Sequence, residues 1–104
     1  MVQDERQIRA IIEYMETIPV PESNFPPKYF DDCAYRRWAA EEILIYILAH
    51  NNWTVMKSVE TFKKKMKRYL DKAMTRHFGY EIAPIFEAAI STAEDISDLI
   101  YSMS

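Results

Sequence analysis

A run of basic side chains in the middle of the chain has the clearest potential for chemistry. The candidate binding surface consists of Lys57, Lys63, Lys64, Lys65, Lys67, Arg68, Lys72 and Arg76. Cations in this number can neutralise phosphates, and such binding weakens steeply with salt. The sequence contains no helix-turn-helix glycine turn, RNA-binding aromatic motif or zinc finger that could read bases. A solvated, partly paired face or an acidic protein partner is therefore favoured, and nucleic acid is the alternative.

The charges of the chain are segregated along its length. Residues 54–78 contain eight basic and two acidic residues, a net charge of +6, whereas residues 79–104 contain five acidic residues and no Lys or Arg. In an antiparallel helical hairpin that turns near Gly79, the acidic last helix would partly neutralise the basic helix. The expected neighbours are Lys65 with Asp95, Lys67 with Glu94, and Lys72 with Glu87. Exposed pairs contribute only about 0–1 kcal/mol each, so their main effect would be to weaken the positive field.

A carboxylate among aromatic residues is the best candidate for acid–base chemistry. Glu42 shares one face of its predicted helix with Tyr35, Trp38 and Tyr46, at spacings of three and four residues. A dry carboxyl in such a place can act as an acid or a base. Catalysis needs a second group within reach, and none is evident nearby in the sequence. We therefore expect Glu41 or Glu42 to pair with a neighbouring arginine, and we assign no catalytic residue.

Metal and cofactor sites are not indicated by the sequence. His50 and His77 are the two histidines, and neither has a second ligand at metal-binding spacing on its own helix. Cys33 follows two aspartates, which disfavour a thiolate, so we interpret it as a buried or half-buried structural residue. A single glycine cannot build a phosphate-cradling loop. The sequence therefore predicts no cofactor, no metal and no enzymatic activity.

The spacing of apolar residues predicts an all-α fold, with four helices in one compact domain over residues 1–104. The expected helices cover about 5–17, 33–50, 55–78 and 82–101. Asp4 is a suitable N-cap for the first helix, and Thr54 or Asn52 for the third. Gly79, the only glycine, occupies the position that commonly follows a helix C-terminus. It is therefore expected to end the third helix.

The second helix contains the longest apolar run of the chain. Ile43 to Ala49 is apolar on every side of a helix. A helix of this kind is normally surrounded by neighbours. The pattern therefore predicts that the second helix lies at the centre of the bundle.

A proline-rich segment over residues 18–32 separates the first two helices. Its four prolines exclude a continuous helix, and its aromatic residues distinguish it from a flexible linker. We expect an extended arm whose aromatics pack on the helices; an arm that reaches a second subunit and a proline-rich ligand are the alternatives. The candidate interface aromatics are Phe25, Tyr29, Phe30, Tyr35, Trp38 and Tyr46.

Composition narrows the class of protein further. One cysteine excludes an internal disulfide, whereas small secreted domains usually contain several. The N-terminus has no apolar signal region, and no apolar run approaches the ~20 residues that cross a bilayer. We therefore expect a cytoplasmic protein without membrane contact. The aromatic surplus favours a protein-interaction module, either a homo-oligomer or one with another protein partner. A nucleic-acid-associated protein and, less favoured, an enzyme are the alternatives.

Overall fold

The computed structural model describes residues 3–19, 32–76 and 79–103, with backbone only at 79 and 80. Its four helices are α1 (Glu5–Thr17), α2 (Asp32–Ala49), α3 (Val55–Met74) and α4 (Gly79–Ser102). All regular secondary structure in this part of the chain is helical, which confirms the predicted four-helix all-α fold. The proline-rich arm, apart from its terminal residues 18, 19 and 32, lies outside the described residues.

Polar side chains set the starts of two helices. The Asp4 carboxylate accepts a hydrogen bond of 2.9 Å from the backbone N–H of Arg6. The Thr54 hydroxyl accepts one of 3.1 Å from the backbone N–H of Lys57. Each cap satisfies a backbone donor that has no partner within the helix. The sequence correctly predicts Asp4 as a cap, and of the two candidates for α3 it is Thr54 that serves.

The turn between α3 and α4 comes earlier than predicted. Helix α3 ends at Met74, and Gly79 is the first residue of α4 rather than the residue that ends α3. The hydroxyl of Thr75 donates a 2.8 Å hydrogen bond to the carbonyl of Lys72. A side chain thereby satisfies a carbonyl of the last turn, so the helix ends without a glycine.

The helices α1 and α2 are antiparallel, and each satisfies carbonyls at the other's C-terminus. Gln3 donates its amide N–H groups to the carbonyls of Ile47 and His50, at 2.8 and 3.1 Å. Arg37 donates to the carbonyls of Met15 and Ile18, at 3.3 Å each. Since the last carbonyls of a helix lack partners within it, these bonds fix the position of α1 along α2.

The prediction that α2 would be buried by neighbours on every side is wrong. Helices α2 and α4 each pack against all three other helices, and the contacts of α4 are the more extensive; Ala89 and Ala93 of α4 are 0% exposed. Small residues at a crossing allow neighbouring helices to approach closely on more than one side. In α2, Ile43 and Ile47 are 0% exposed, but Ile45 is 57% and Leu48 is 69% exposed.

The early turn also shifts the pairing of α3 with α4. Lys63 Nζ lies 3.8 Å from the Glu94 carboxylate, and the Ser97 hydroxyl donates to Glu60 at 3.0 Å. Glu94 thus meets Lys63 rather than Lys67, about one helical turn from the expected register. Asp95 does not face Lys65, because it binds groups on α1 and α2 instead.

Replacing Ile47 with alanine tests the one-sided burial of α2. We expect Ile47→Ala to lower the free energy of unfolding by about 2–5 kcal/mol, since it removes a fully buried side chain. Ile45→Ala, on the exposed side, should change it by no more than about 0.5 kcal/mol. Urea unfolding measures both variants, and similar losses would contradict the placement of α2.

Candidate functional site

An open and mainly apolar groove lies between α2 and α3. We call it the aromatic groove, and its volume is about 400 Å³. Its lining consists of Trp38, Glu42 and Tyr46 from α2, Phe62, Lys65, Met66 and Tyr69 from α3, and Phe86 from α4. Three helices therefore contribute to one surface.

The periodicity of each helix places these side chains on the groove. Trp38, Glu42 and Tyr46 recur every four residues, so they form one face of α2, as the sequence predicts. On α3, Phe62 and Tyr69 are separated by two helical turns and lie on the same face. The α3 side of the groove was not predicted, because a single-helix pattern does not reveal which helix lies opposite.

The groove has a buried floor and half-exposed walls. Phe62 and Met66 are 3% and 5% exposed, whereas Trp38 and Tyr69 are each 38% exposed. The rings of Tyr69 and Phe86 lie 5.7 Å apart, a separation at which aromatic pairs attract. The packed floor therefore holds the wall aromatics in place while leaving part of each accessible.

Basic residues run along one edge of the groove. The amine of Lys65 lies 5.8 Å from the ring centres of both Tyr46 and Tyr69, close enough for cation–π attraction. A smaller depression of about 240 Å³ continues from Tyr69 and Phe86 to Lys72 and Arg76. We call Lys65, Lys72 and Arg76 the basic edge. Within the described ranges, no carboxylate forms an ion pair with any of the three.

The remaining predicted basic residues do not line the aromatic groove. Lys63 pairs with Glu94 at 3.8 Å. The amine of Lys57 lies 4.7 Å from the centre of the Trp53 ring. The other members, Lys64, Lys67 and Arg68, are exposed. The predicted basic surface is therefore divided into parts with different surroundings.

The predicted interface aromatics are also divided. Trp38 and Tyr46 line the aromatic groove, whereas Tyr35 is half-buried and is not part of the lining. Phe25, Tyr29 and Phe30 lie outside the described residues.

The candidate acid–base and metal-binding residues do not converge. Arg37 lies 3.8 Å from Glu41, the kind of pairing that the sequence predicts. His50 stacks on Trp53 with ring centres 4.1 Å apart, and its Nδ1 lies 2.9 Å from the carbonyl oxygen of Tyr46. Cys33 is half-buried. Among the residues that the structure describes, no group of three His, Cys, Asp or Glu side chains could hold a metal. His77 lies outside them.

A polar cluster that joins α1, α2 and α4 was not predicted. Arg36 donates to Asp32 at 2.8 Å, to Ser91 at 2.9 Å and to Asp95 at 3.2 Å. Tyr14 donates its hydroxyl to Asp95 at 3.1 Å. The sequence could not reveal this cluster, because Tyr14 and Asp95 are 81 positions apart.

Burial and charge in this cluster shift two pKa values. Burial raises the pKa of Tyr14, and the negative charge of Asp95 adds to the effect. The hydrogen bond with Asp32 is the main cause of the raised pKa of Arg36. Because both pKa values are raised, Tyr14 stays protonated and Arg36 stays charged in the folded protein. These are the forms that donate the hydrogen bonds, so the cluster is a structural link between helices.

Comparison with protein-family models, with curated proteins and with solved structures finds no match to this chain. None of the helices in the described part of the chain is both long enough and apolar enough to cross a membrane.

Tyr14→Phe tests the cluster through the pH dependence of stability. The folded protein keeps the Tyr14 proton above the ordinary pKa of 10.0, where the unfolded chain releases it. The free energy of unfolding therefore falls as the pH rises from about 10 through the raised pKa. Urea titrations across this range should show a shallower fall for Tyr14→Phe than for the wild type. Parallel curves would contradict the assignment.

Proposed function

We propose that this protein is a non-enzymatic interaction module that binds a polypeptide partner in the aromatic groove. The observation that carries the proposal is the exposure of Trp38 and Tyr69, each 38%, above a buried apolar floor. Tryptophan and tyrosine are enriched among the residues that dominate binding energy at protein interfaces. Partly exposed rings held by a packed floor bind without a large ordering cost.

The length of the groove favours a helical segment as its occupant. From Phe62 to Ala73 the lining follows α3 for roughly 16 Å, at about 1.5 Å per residue. That is about three turns of a partner helix. Amphipathic helices bind in such grooves through apolar residues spaced three and four apart. The groove is therefore long and open in the manner of a peptide-binding site.

The chemistry of the lining supports binding rather than catalysis. Glu42 and Lys65 are the two charged side chains in the lining of the aromatic groove. Lys65 is held over the tyrosine rings, where it can meet an anionic group of a ligand.

We also place the protein in the cytoplasm, since its single cysteine fits a reducing compartment.

Nucleic acid is a second candidate partner, and the exposed basic residues of α3 support it. Among the described residues, Lys63 is the α3 cation that forms an ion pair. The exposed Lys64, Lys67 and Arg68 therefore retain their charge toward solvent. Such a face suits phosphate contacts without base recognition.

A peptide selection tests the groove. We would select helical peptides from a random displayed library against the wild type and measure their affinity by calorimetry. Trp38→Ala should weaken binding at least about tenfold, as expected when an aromatic anchor is lost. Leu48→Ala is the matched control, because Leu48 is 69% exposed but is not part of the lining. Equal affinities for both variants would contradict the proposal.

An electrophoretic shift assay at ~50 mM salt tests the second candidate. If α3 binds phosphates, mixed-sequence DNA or RNA should be retarded, and the combined Lys64→Glu and Arg68→Glu variant should lose the shift. These two exposed positions lie outside the aromatic groove, so peptide binding there should persist. An unretarded probe, or a shift that the variant leaves unchanged, would exclude this candidate.

A further inference from the structure

The basic edge specifies what kind of segment the groove accepts. Lys72, in the last turn of α3, and Arg76, just beyond its end, are both exposed and line one depression, and Lys65 lies over two aromatic rings. Within residues 32–76 and 79–103, none of these cations is paired with a carboxylate. A complementary segment therefore carries an aromatic or apolar residue beside a small group of carboxylates.

The C-terminal part of α4 has this composition. Glu94, Asp98 and Tyr101 are spaced by four and three residues, so they share one face of α4. All three are exposed, and at 77% Tyr101 is the most exposed large apolar side chain among the described residues. They line a further open depression together with Glu60 and Lys63, so three carboxylates and one amine make its charge negative on balance. We call Glu94, Asp98 and Tyr101 the acidic end of α4.

We propose that the aromatic groove of one molecule binds the acidic end of α4 of a second copy of this chain. The inference rests on the proposed function, because it assigns an occupant to the same groove. In this arrangement Tyr101 enters between the aromatic walls and the carboxylate of Asp98 meets the basic edge, while Glu94, which pairs with Lys63 of its own molecule, lies beside the contact. The segregated charges of residues 54–78 and 79–104 thereby form complementary surfaces on every molecule.

The positions of the two surfaces determine the type of assembly. The groove uses Phe62, Lys65 and Tyr69 of α3, whereas the acidic end lies beside Met56 and Glu60. At 100° per residue these two sets of α3 positions are roughly 165° apart around the helix. A two-fold axis cannot bring both pairs of surfaces together at once. Each molecule therefore binds one neighbour with its groove and another with its acidic end, in a head-to-tail chain or ring.

Two variants, each defective in one surface, test the arrangement. The groove variant combines Lys72→Glu and Arg76→Glu, and the end variant combines Asp98→Asn and Tyr101→Ala. All four positions are exposed, so both variants should keep the wild-type circular dichroism. In sedimentation velocity at ~50 mM salt, the wild type should form species that grow with concentration and dissociate at ~500 mM salt.

Each variant alone should be monomeric, and their equimolar mixture should form a one-to-one dimer that does not grow. The reason is that the groove variant retains its acidic end and the end variant retains its groove. A third variant, Lys64→Glu with Arg68→Glu, makes the same charge change away from the groove and should still assemble. A mixture that stays monomeric, or an assembly that both defective variants retain, would overturn the inference.

The outcomes separate this inference from the proposed function. A wild type that is monomeric at ~50 mM salt, yet binds selected peptides in a Trp38-dependent manner, would reject self-assembly and keep the groove as a binding site. Self-assembly that Trp38→Ala leaves intact would show that the groove is not the contact, and the inference would fail.

Discussion

Close packing of α4 against three other helices is the constraint on which the rest of this structure depends. Alanines at 89 and 93 leave no exposed surface, and their small side chains let α2 and α3 lie against the same central helix. Both helices then present a second flank away from α4. The aromatic groove is the space between those flanks, with Phe62 and Met66 as its floor.

The sequence predicts the local structure of this chain better than its packing. Asp4 and Thr54 identify helix starts, because a capping side chain acts within a few residues of its own position. The α2 face with Trp38, Glu42 and Tyr46 follows from periodicity alone. The predictions failed where burial depends on distant parts of the chain: the apolar run from Ile43 to Ala49 suggested a helix covered on every side, but Ile45 and Leu48 are exposed. Gly79 suggested the wrong turn because Thr75 already caps α3.

The charged residues of this molecule have two separate roles, one within the fold and one at the surface. The Arg36 cluster connects α1, α2 and α4 through hydrogen bonds of 2.8 to 3.2 Å, so its charges are used within the fold. The basic edge and the acidic end of α4 are directed outward, where pairing within one molecule is limited to Lys63 with Glu94 among the described residues. The charges of the basic edge and of Asp98, which form no ion pair among the described residues, are available to steer association with another molecule.

The central claim is that the exposed aromatic wall of the groove is a polypeptide-binding surface, and Trp38 reports on it directly. In a Trp53→Phe variant, Trp38 is the one remaining tryptophan, so its quenching by acrylamide measures the access of solvent to the wall. The account predicts that saturation with a peptide selected on the wild type lowers the quenching and shifts the emission to shorter wavelength. Binding that leaves the quenching of Trp38 unchanged would contradict it.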